Sequence, residues 1–370
     1  MKLNISKSNL INAVNIVSKA VPSKTSLPIL GCILIDASTE KIKFMANDEE
    51  LGIETIQEGS ILEHGIIAID AAIFGNIVRK LPDGCDVSLE TEGEKVTIRS
   101  GKIVFNISGM DGSDFPYLPE IDRSYSLDVS ELTLRDIIIK TIFAIASNDA
   151  NQIMTGELFE VRNREQLRVA ALDGHRISVR SVELKQAYDD KKVIIPGKTL
   201  MEISKILDPS PEEMVHIYLA DKHAMFQFGT TTVVSRLIEG EYFNVDQMIS
   251  SDFKTHIRIG RQAFLSCLDR ATLLVHEEDK KPIILKITDD NLELQIRTAL
   301  GSMDENLSVE KDGDDIVIGF NPRLMIDALR AIDDDEVDVY FLSPRAPAFL
   351  RNEGSYCYLV LPVNFISSYD

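Results

Sequence analysis

The sequence predicts an α+β protein of three repeated domains, each with two helices packed on antiparallel sheets. Three observations support this prediction. A short strand runs into an amphipathic helix three times, and Ile5, Val129 and Ile259 mark corresponding points, 124 and 130 residues apart. A second strand-to-helix element recurs once in each repeat. Between these elements, as in residues 292–296, apolar and polar residues alternate with the period of half-buried strands.

The first element of each repeat is a strand followed by a helix with one apolar face. Residues 3–5, 127–129 and 257–259 are the strands, and Ser6 suits a helix N-cap after the first of them. The apolar helix positions are Leu10, Ala13, Val14 and Val17, then Leu134, Ile137, Ile138 and Ile142, then Phe264, Cys267, Leu268 and Ala271.

The second element carries a basic residue near the end of its helix. Residues 66–70, 193–197 and 316–320 lead into these helices, and alignment places Arg79, Lys205 and Arg330 in register. An acidic turn and another strand follow each helix. Boundaries near residues 121–123 and 249–251 divide the chain into predicted domains at 1–122, 123–250 and 251–370.

Length and composition set the broad class. The chain has 370 residues, of which 44% are hydrophobic, and this suffices for two or three ordinary domains. The four cysteines are scattered without a CxxC pair, which favours free thiols in a reducing compartment. The N-terminus lacks a signal-peptide core, and no apolar run reaches about 18 residues. These features predict a cytoplasmic protein without a membrane span.

Charge is distributed unevenly along the chain. There are 59 acidic and 39 basic residues, a formal charge of −20, yet the six predicted helical segments together carry +6. One interpretation is ordinary i,i+4 pairing, with cations such as Lys205 and Arg330 at helix C-termini. The other is that the helices face a polyanion while the strands face solvent. Composition alone leaves both open.

The sequence LDGHRI at residues 172–177 is the most distinctive local motif. It lies between two apolar runs and predicts a tight turn between strands, with Gly174 providing backbone freedom. His175 and Arg176 beside this glycine suit either catalysis or the polar rim of a pocket that binds another protein.

Several absent motifs argue against catalysis. Asp173 with His175 permits an acid–base or metal-binding interpretation, but the six histidines form no HxH or HExxH motif. The chain has no GxSxG, GxxxxGK[ST] or GxGxxG motif. The stretch HEED at residues 276–279 is interpreted as a solvated loop. We therefore predict no enzymatic activity, no metal and no cofactor.

Five motifs in order point to one family. They are TSLPILG at 25–31, DFP at 114–116, LDGHR at 172–176, IGFN at 318–321 and LVLPV at 359–363. With the threefold repeat beneath them, the chain resembles the bacterial DNA sliding clamp, the beta subunit of the replicative DNA polymerase III, over its whole length. The resemblance implies a head-to-tail homodimer closed into a ring, with helices lining the hole. Such a ring encircles double-stranded DNA and slides on it as a processivity factor.

The resemblance also implies the partners. Replicative and other DNA polymerases, an ATP-driven clamp loader, and mismatch-repair and ligation proteins would bind through a peptide pocket. The loader is separate, because the chain has no nucleotide-binding loop. Two alternatives stay open: a diverged clamp paralogue, and an interaction scaffold that does not encircle DNA. Closed circular DNA distinguishes a clamp from such a scaffold, since a loaded clamp runs off when the circle is cut, whereas a protein bound to the DNA surface is indifferent to cutting.

Residues of this chain match the basic and apolar positions that have functional roles in the family. The positions that face DNA in the family match Lys24, Arg79, Lys80, Lys198 and Lys205, and the internal register adds Arg330. The positions of the dimer interface match Phe105 and Ile107 in the first domain and Leu273 and Leu274 in the last. For the two leucines, the alternative is the end of a core-facing helix.

The peptide pocket of the family lies where the middle and last domains meet, and it accepts a peptide with a glutamine and a Leu-Phe-type end. Its apolar members would bury the peptide's anchors, and His175, Arg176 and Asn321 would meet its polar groups. The matching residues are Met154, Leu172, Gly174, His175, Arg176, Ile177, Phe243, Met248, Asn321, Leu324, Arg345, Pro347, Leu361, Pro362 and Val363.

The chain departs from the family pattern at several places. Phe243-Asn244 stands where an aromatic-Pro pair is usual, Gln247 replaces Arg or Met, and Asn364 replaces a common Arg. Residues 148–153 lack the Arg or aromatic DNA contacts common there, and a tail follows at 365–370. These departures predict a narrower pocket with an altered peptide preference.

Overall fold

The computed structural model describes residues 1–147, 151–275, 281–352 and 354–364. Contacts divide the chain into two compact units. The first comprises Met1–Leu134 and Glu202–Leu237, and the second comprises the described residues of Arg135–Met201 and Ile238–Asp370. The acidic stretch at 276–279, the first part of the loop at 148–153 and the tail at 365–370 lie outside the described residues.

Seven α-helices are present in the described part of the chain, and six of them are those predicted. They are α1 Lys7–Val17, α2 Ala71–Lys80, α3 Glu131–Ile139, α4 Gly197–Ile206, α5 Val245–Met248, α6 Arg261–Thr272 and α7 Pro322–Arg330. Polar side chains at the entry accept hydrogen bonds from the first helical turn. Ser6 Oγ accepts from Asn9 N (3.1 Å), and Asp70 Oδ1 accepts from Ile73 N (2.8 Å).

The third helix is shorter than predicted. The Thr141 hydroxyl donates back to the Ile137 carbonyl (2.7 Å), and Ile142 begins a separate 3-10 turn, Ile142–Ala144. A threonine hydroxyl that bonds to the preceding turn weakens and bends a helix, and the helix ends just before this residue.

The strands are short, and their pairings among the described residues are antiparallel. They are β1 Lys2–Ser6, β2 Cys32–Asp36, β3 Ile42–Asn47, β4 Leu51–Gln57, β5 Ser60–Glu63, β6 Ile66–Asp70, β7 Asp86–Glu92, β8 Lys95–Ser100, β9 Ile103–Ser108, β10 Met110–Asp111, β11 Ser126–Ser130, β12 Gly156–Arg162, β13 Gln166–Leu172, β14 Arg176–Glu183, β15 Lys191–Pro196, β16 Met214–Leu219, β17 His223–Phe228, β18 Thr231–Arg236, β19 Thr255–Gly260, β20 Ile283–Thr288, β21 Asn291–Thr298, β22 Gly301–Ser308, β23 Glu310–Gly313, β24 Ile316–Phe320, β25 Glu336–Phe341, β26 Ala348–Asn352 and β27 Tyr356–Val360.

Each unit contains one small and one large sheet. The first unit has the strand orders β5-β1-β7-β8-β9 and β10-β6-β2-β3-β4-β18-β17-β16-β11. The second has β22-β21-β20-β24 and β15-β12-β13-β14-β27-β26-β25-β19-β23. Strands on both sides of residue 122 thus share a sheet in the first unit, and strands on both sides of residue 250 share one in the second. The predicted domain boundaries themselves stay a prediction.

The helices bury the faces that the sequence predicted. Leu10, Ala13, Val14 and Val17 of α1 are all buried. In the second unit, α6 and α7 pack together, and their buried residues form one core with the strands beneath them. All four cysteines are free. Among the described residues, no helix is long and apolar enough to cross a membrane.

Candidate functional site

The predicted turn lies between β13 and β14, at residues 173–175. Asp173 N donates to the Arg176 carbonyl (3.1 Å), and Asp173 Oδ1 accepts from the backbone N–H groups of His175 (2.7 Å) and Arg176 (3.0 Å). The carboxylate of Asp173 therefore stabilises the turn itself, as Asp commonly does. His175 lies exposed at its tip.

Gly174 does not have the role that the sequence suggested. Its φ is not among the positive values of the chain, and a Cβ built on it would meet nothing within 4 Å. The expectation that this turn needs glycine's backbone freedom is therefore wrong. The side chain of Asp173 holds the turn in a conformation that other residues also adopt.

Arg176 lies inside the protein rather than at the rim where it was expected. Its side chain is only 13% exposed, and Nε donates to Asp173 Oδ2 (3.0 Å) while Nη1 donates to Asp327 Oδ2 (2.6 Å). Nη2 donates to the Phe143 carbonyl, and the guanidinium lies 5.3 Å from the centre of the Phe143 ring. Arg176 thus joins β14 to α7 and to the 3-10 turn at 142–144.

An apolar cluster lies beside the turn, and we call it the turn cluster. Its buried members come from five strands and α5; they are Leu158, Ala170, Leu172, Ile177, Val179, Val245, Phe349 and Leu359. Met154 and Phe243 are partly buried against it. Four of the predicted pocket residues, Met154, Leu172, Ile177 and Phe243, are therefore brought together in one cluster.

The other predicted pocket residues take different places in the second unit. The Leu361 N–H donates to the His175 carbonyl (2.9 Å), and the Val363 N–H donates to the Gly319 carbonyl (2.8 Å), which holds the segment 361–363 near the turn. Met248 and Leu361 are 41% and 38% exposed.

Five further predicted residues lie at α7, before β26 or after β27. Asn321 Oδ1 accepts from Arg323 N (3.0 Å) as the cap of α7, and Leu324 packs against the separate core beneath that helix. Arg345 is exposed, and Pro347 and Pro362 are half-buried. Arg345 and Pro347 precede β26, whose Phe349 belongs to the turn cluster.

Sequence reasoning missed several members of the turn cluster. Ala170 and Val179 continue the faces of Leu172 and Ile177 by two residues along β13 and β14, so strand periodicity could have found them. Phe349 lies far away in the sequence, and no local pattern linked it to the turn.

A buried acid lies on β12 next to Leu158 of this cluster. Glu157 on β12 is fully buried, and within the described chain neither carboxyl oxygen has a hydrogen-bond partner. Burial raises the pKa of Glu157 well above its ordinary value of 4.5, and the nearby Thr141 hydroxyl, which donates to the Ile137 carbonyl, offsets this rise only in part. Burial and the neighbouring Glu157 likewise raise the pKa of Tyr242, whose hydroxyl donates to the Gly156 carbonyl (3.4 Å).

The predicted DNA-facing residues differ in how far their charge is neutralised. Lys24, Arg79 and Lys80 are exposed and lie outside ion-pair distance of any described carboxylate. Lys205 pairs with Glu202 (2.7 Å), and Arg330 pairs with Asp269 (3.3 Å). Lys198 is exposed and has a polar partner.

Both interpretations of the helix charge therefore apply, each to a different part. Local pairing accounts for Lys205 and Arg330, whereas Arg79 and Lys80 keep an uncompensated positive surface on α2. In the described residues, no group of three or more His, Cys, Asp or Glu side chains is arranged to hold a metal ion.

Three family models match the chain in succession. The N-terminal domain model of the DNA polymerase III beta subunit matches residues 1–119, the central domain model 128–244, and the C-terminal domain model 246–364. A curated relative, the beta sliding clamp of Staphylococcus aureus, is 34% identical over 98% of this chain and 99% of its own.

Solved structures share the whole fold. The DNA polymerase sliding clamp of Bacillus subtilis is 31% identical, with a TM-score of 0.95, and the match covers 99% of this chain and 100% of that one. A structure from Eubacterium rectale, provisionally assigned as a DNA polymerase III beta subunit, is 57% identical, with a TM-score of 0.96 and 99% of each chain covered.

Fold and relatives together define a clamp-type protein of three domains. The chain belongs to the family of bacterial DNA polymerase III beta subunits, the beta sliding clamps. The predicted fold class, helices packed on antiparallel sheets in three clamp domains, is confirmed. The predicted function as a DNA polymerase processivity factor is confirmed as well, and a scaffold that does not encircle DNA is not favoured.

Proposed function

We propose that this clamp works as a homodimeric ring on double-stranded DNA and tethers its partners through the turn cluster. The observation that supports the proposal is that part of the apolar surface of this cluster is exposed to solvent. Met154 and Phe243 are partly buried against the cluster that contains Leu172 and Ile177, and the exposed His175 lies in the turn between the strands of those two residues. The apolar end of a short peptide would lose its contact with water here, and Met154 would adapt to different anchors.

The proposed partners are those that carry such a peptide. They are replicative and other DNA polymerases, a separate ATP-driven loader, and mismatch-repair and ligation proteins. The chain contributes binding surfaces rather than catalysis, and it works in the cytoplasm, where its free cysteines stay reduced. The fifteen predicted pocket residues and the domain boundaries at 122 and 250 are part of this proposal, with Arg176 as the residue that fixes the turn rather than as a contact at the rim.

A labelled peptide with a glutamine and a Leu-Phe end, titrated with the full chain, tests the pocket. We expect saturable binding by fluorescence anisotropy. His175→Ala should raise the Kd about three- to tenfold, the loss expected for one interface side chain worth ~1 kcal/mol. His216→Ala, another exposed histidine on β16, is the control and should bind like the wild type. Equal affinity of His175→Ala and the wild type would contradict the assignment.

Two edge strands suit the proposed head-to-tail contact. β9 and β22 each lie at one edge of a small sheet, where backbone groups are available for another chain. Phe105 and Ile107 are half-buried on β9. Leu273, which follows α6, is 79% exposed, whereas Leu274 packs partly against the core. Leu273 therefore fits an interface better than a core-facing helix end.

Leu273→Asp is expected to convert the dimer into a monomer, because a carboxylate would enter an apolar contact without a partner. Sedimentation velocity at micromolar concentration measures this directly. Leu62→Asp is the matched control, since Leu62 is also exposed (58%) and lies on β5, at the opposite edge of the same small sheet as β9. A Leu273→Asp variant that remains dimeric would exclude this seam.

Replacing Arg79 and Lys80 together by alanine should weaken duplex DNA binding and flatten its salt dependence. Each lost phosphate contact lowers the slope of log K against log[salt] by about 0.9. Anisotropy of a labelled duplex over a salt series measures the slope. Lys205→Ala should change it less, because Glu202 already neutralises that cation. An unchanged slope in the double variant would contradict a DNA-facing α2.

A further inference from the structure

The segment that joins β18 to β19 forms one wall of the turn cluster. We call residues 242–252 the connector. Val245 is buried in the cluster, and Tyr242, Phe243 and Ile249 pack against it. The only regular structure of the connector is α5, with four residues, and an isolated helix of that length is unstable in water. Contacts from outside the connector must therefore hold it in place.

Asp246 of α5 supplies the principal contact. Its Oδ2 accepts from Arg162 Nη2 (2.5 Å), and its Oδ1 accepts from Arg162 Nη1 (3.3 Å) and lies 3.0 Å from Arg168 Nη1. Arg162 ends β12 and Arg168 lies on β13, the two strands that carry Leu158 and Leu172 of the cluster. The Asp246 carboxylate thus joins the connector to β12 and β13, the strands on which it packs.

The contact is desolvated mainly on the arginine side, since the Asp246 side chain itself is 55% exposed. The Arg168 side chain is only 7% exposed, and its other acidic neighbour, Glu160, lies 3.6 Å away. Hydrogen bonds from Arg162, the nearby Arg168 charge and the Arg162 charge lower the pKa of Asp246, so the carboxylate is ionised at neutral pH. Bidentate, partly desolvated Arg–carboxylate contacts combine strength with fixed geometry.

A third arginine holds the other end of the connector. Arg351 on β26 donates from Nη1 to the Ser250 carbonyl (2.8 Å) and from Nη2 to the Ser251 carbonyl (3.0 Å). Its guanidinium lies over the Tyr340 ring, 4.4 Å from the ring centre. The connector, which contains the predicted boundary near residues 249–251, is therefore fixed at two points.

We infer that Asp246, through Arg162 and Arg168, is a positioning residue that holds the Phe243–Met248 side of the peptide site ready for binding. The inference rests on the proposed peptide site. A wall that is already ordered costs a ligand less conformational entropy than one that must be ordered on binding. Asp246 itself need not touch the peptide to determine its affinity.

Asp246→Asn in the full-length chain tests this inference, with the labelled Leu-Phe peptide as the probe. We expect a Kd at least tenfold higher and faster amide hydrogen exchange over residues 242–249, with exchange in β20 and β21 unchanged. Asp246→Glu, which keeps the carboxylate, should recover most of the affinity. Asp252→Asn alters an exposed aspartate of the same connector and should match the wild type in both measurements.

Three results would overturn the inference: a Kd of Asp246→Asn within twofold of the wild type, unchanged exchange over residues 242–249, or an equal loss in Asp252→Asn. A wild-type chain that does not bind the peptide would instead refute the proposed peptide site. In that case the exchange comparison still decides whether Asp246 holds the connector, so the two failures are distinguishable.

Discussion

Arg176→Ala is expected to lower the free energy of unfolding by about 2–4 kcal/mol, the largest loss that we predict for one side chain. The guanidinium is 13% exposed and binds two carboxylates and a backbone carbonyl. Removing it leaves the carboxylates of Asp173 and Asp327 without their cation and the Phe143 carbonyl without its hydrogen-bond donor. Urea denaturation followed by circular dichroism measures the shift in the transition of the second unit.

Two control variants separate this network from a general effect of charge. Arg176→Lys keeps the charge but loses the planar fork, so its stability should lie between those of the wild type and Arg176→Ala. Arg164→Ala removes an arginine that is 64% exposed and 3.6 Å from Asp189, and no measurable change is expected. If Arg176→Ala unfolds at the wild-type midpoint, the network does not contribute to stability.

Glu157→Met is expected to stabilise the chain by about 1–3 kcal/mol at pH 8, because it replaces a buried carboxyl without partners by an apolar side chain of similar length. The effect depends on pH with a defined sign. Since the pKa of Glu157 is raised in the folded state, the folded chain retains a proton above pH 4.5 that the unfolded chain releases. Wild-type stability therefore falls as pH rises from 4.5 towards the folded pKa.

Thermal unfolding of both proteins between pH 5 and pH 8 checks this prediction. The advantage of Glu157→Met should be smallest near pH 5 and grow as pH rises. Glu160→Met, three residues along the same strand, provides the contrast: it removes a carboxylate paired with Arg162 and is expected to destabilise. A constant difference across the pH range would show that Glu157 does not exchange its proton on unfolding.

The Arg176 network and the Asp246 contact have the same consequence for the proposed peptide site. Arg176 fixes the turn that presents His175, and Asp246 fixes the connector that carries Phe243. The polar groups nearest to the turn cluster thus hold its shape, while the surface left for a partner is largely apolar. A single apolar surface of fixed shape is suited to many partners that share one short peptide.

Much of the fold could be predicted because its signals are local. Ser6 and Asp70 mark helix starts by accepting from residues three positions ahead, and the turn at 173–175 follows from the apolar runs on both sides. The apolar residues Met154, Leu172, Ile177 and Phe243 of the proposed site followed from the family resemblance. Gly174 was misjudged, because the residue type does not reveal that the neighbouring Asp173 side chain holds the turn.

The sequence by itself determined the helices and strands, the threefold repeat, the family and the apolar residues Leu172 and Ile177 of the proposed site. Only the tertiary structure decided which polar groups are available to a partner. Arg176 is withdrawn from the rim because Asp327, 151 residues away, accepts from it, and Asp246 is drawn to Arg162, 84 residues before it. Periodicity and capping depend on neighbours within a few positions, whereas burial and ion pairing depend on residues that only folding brings together.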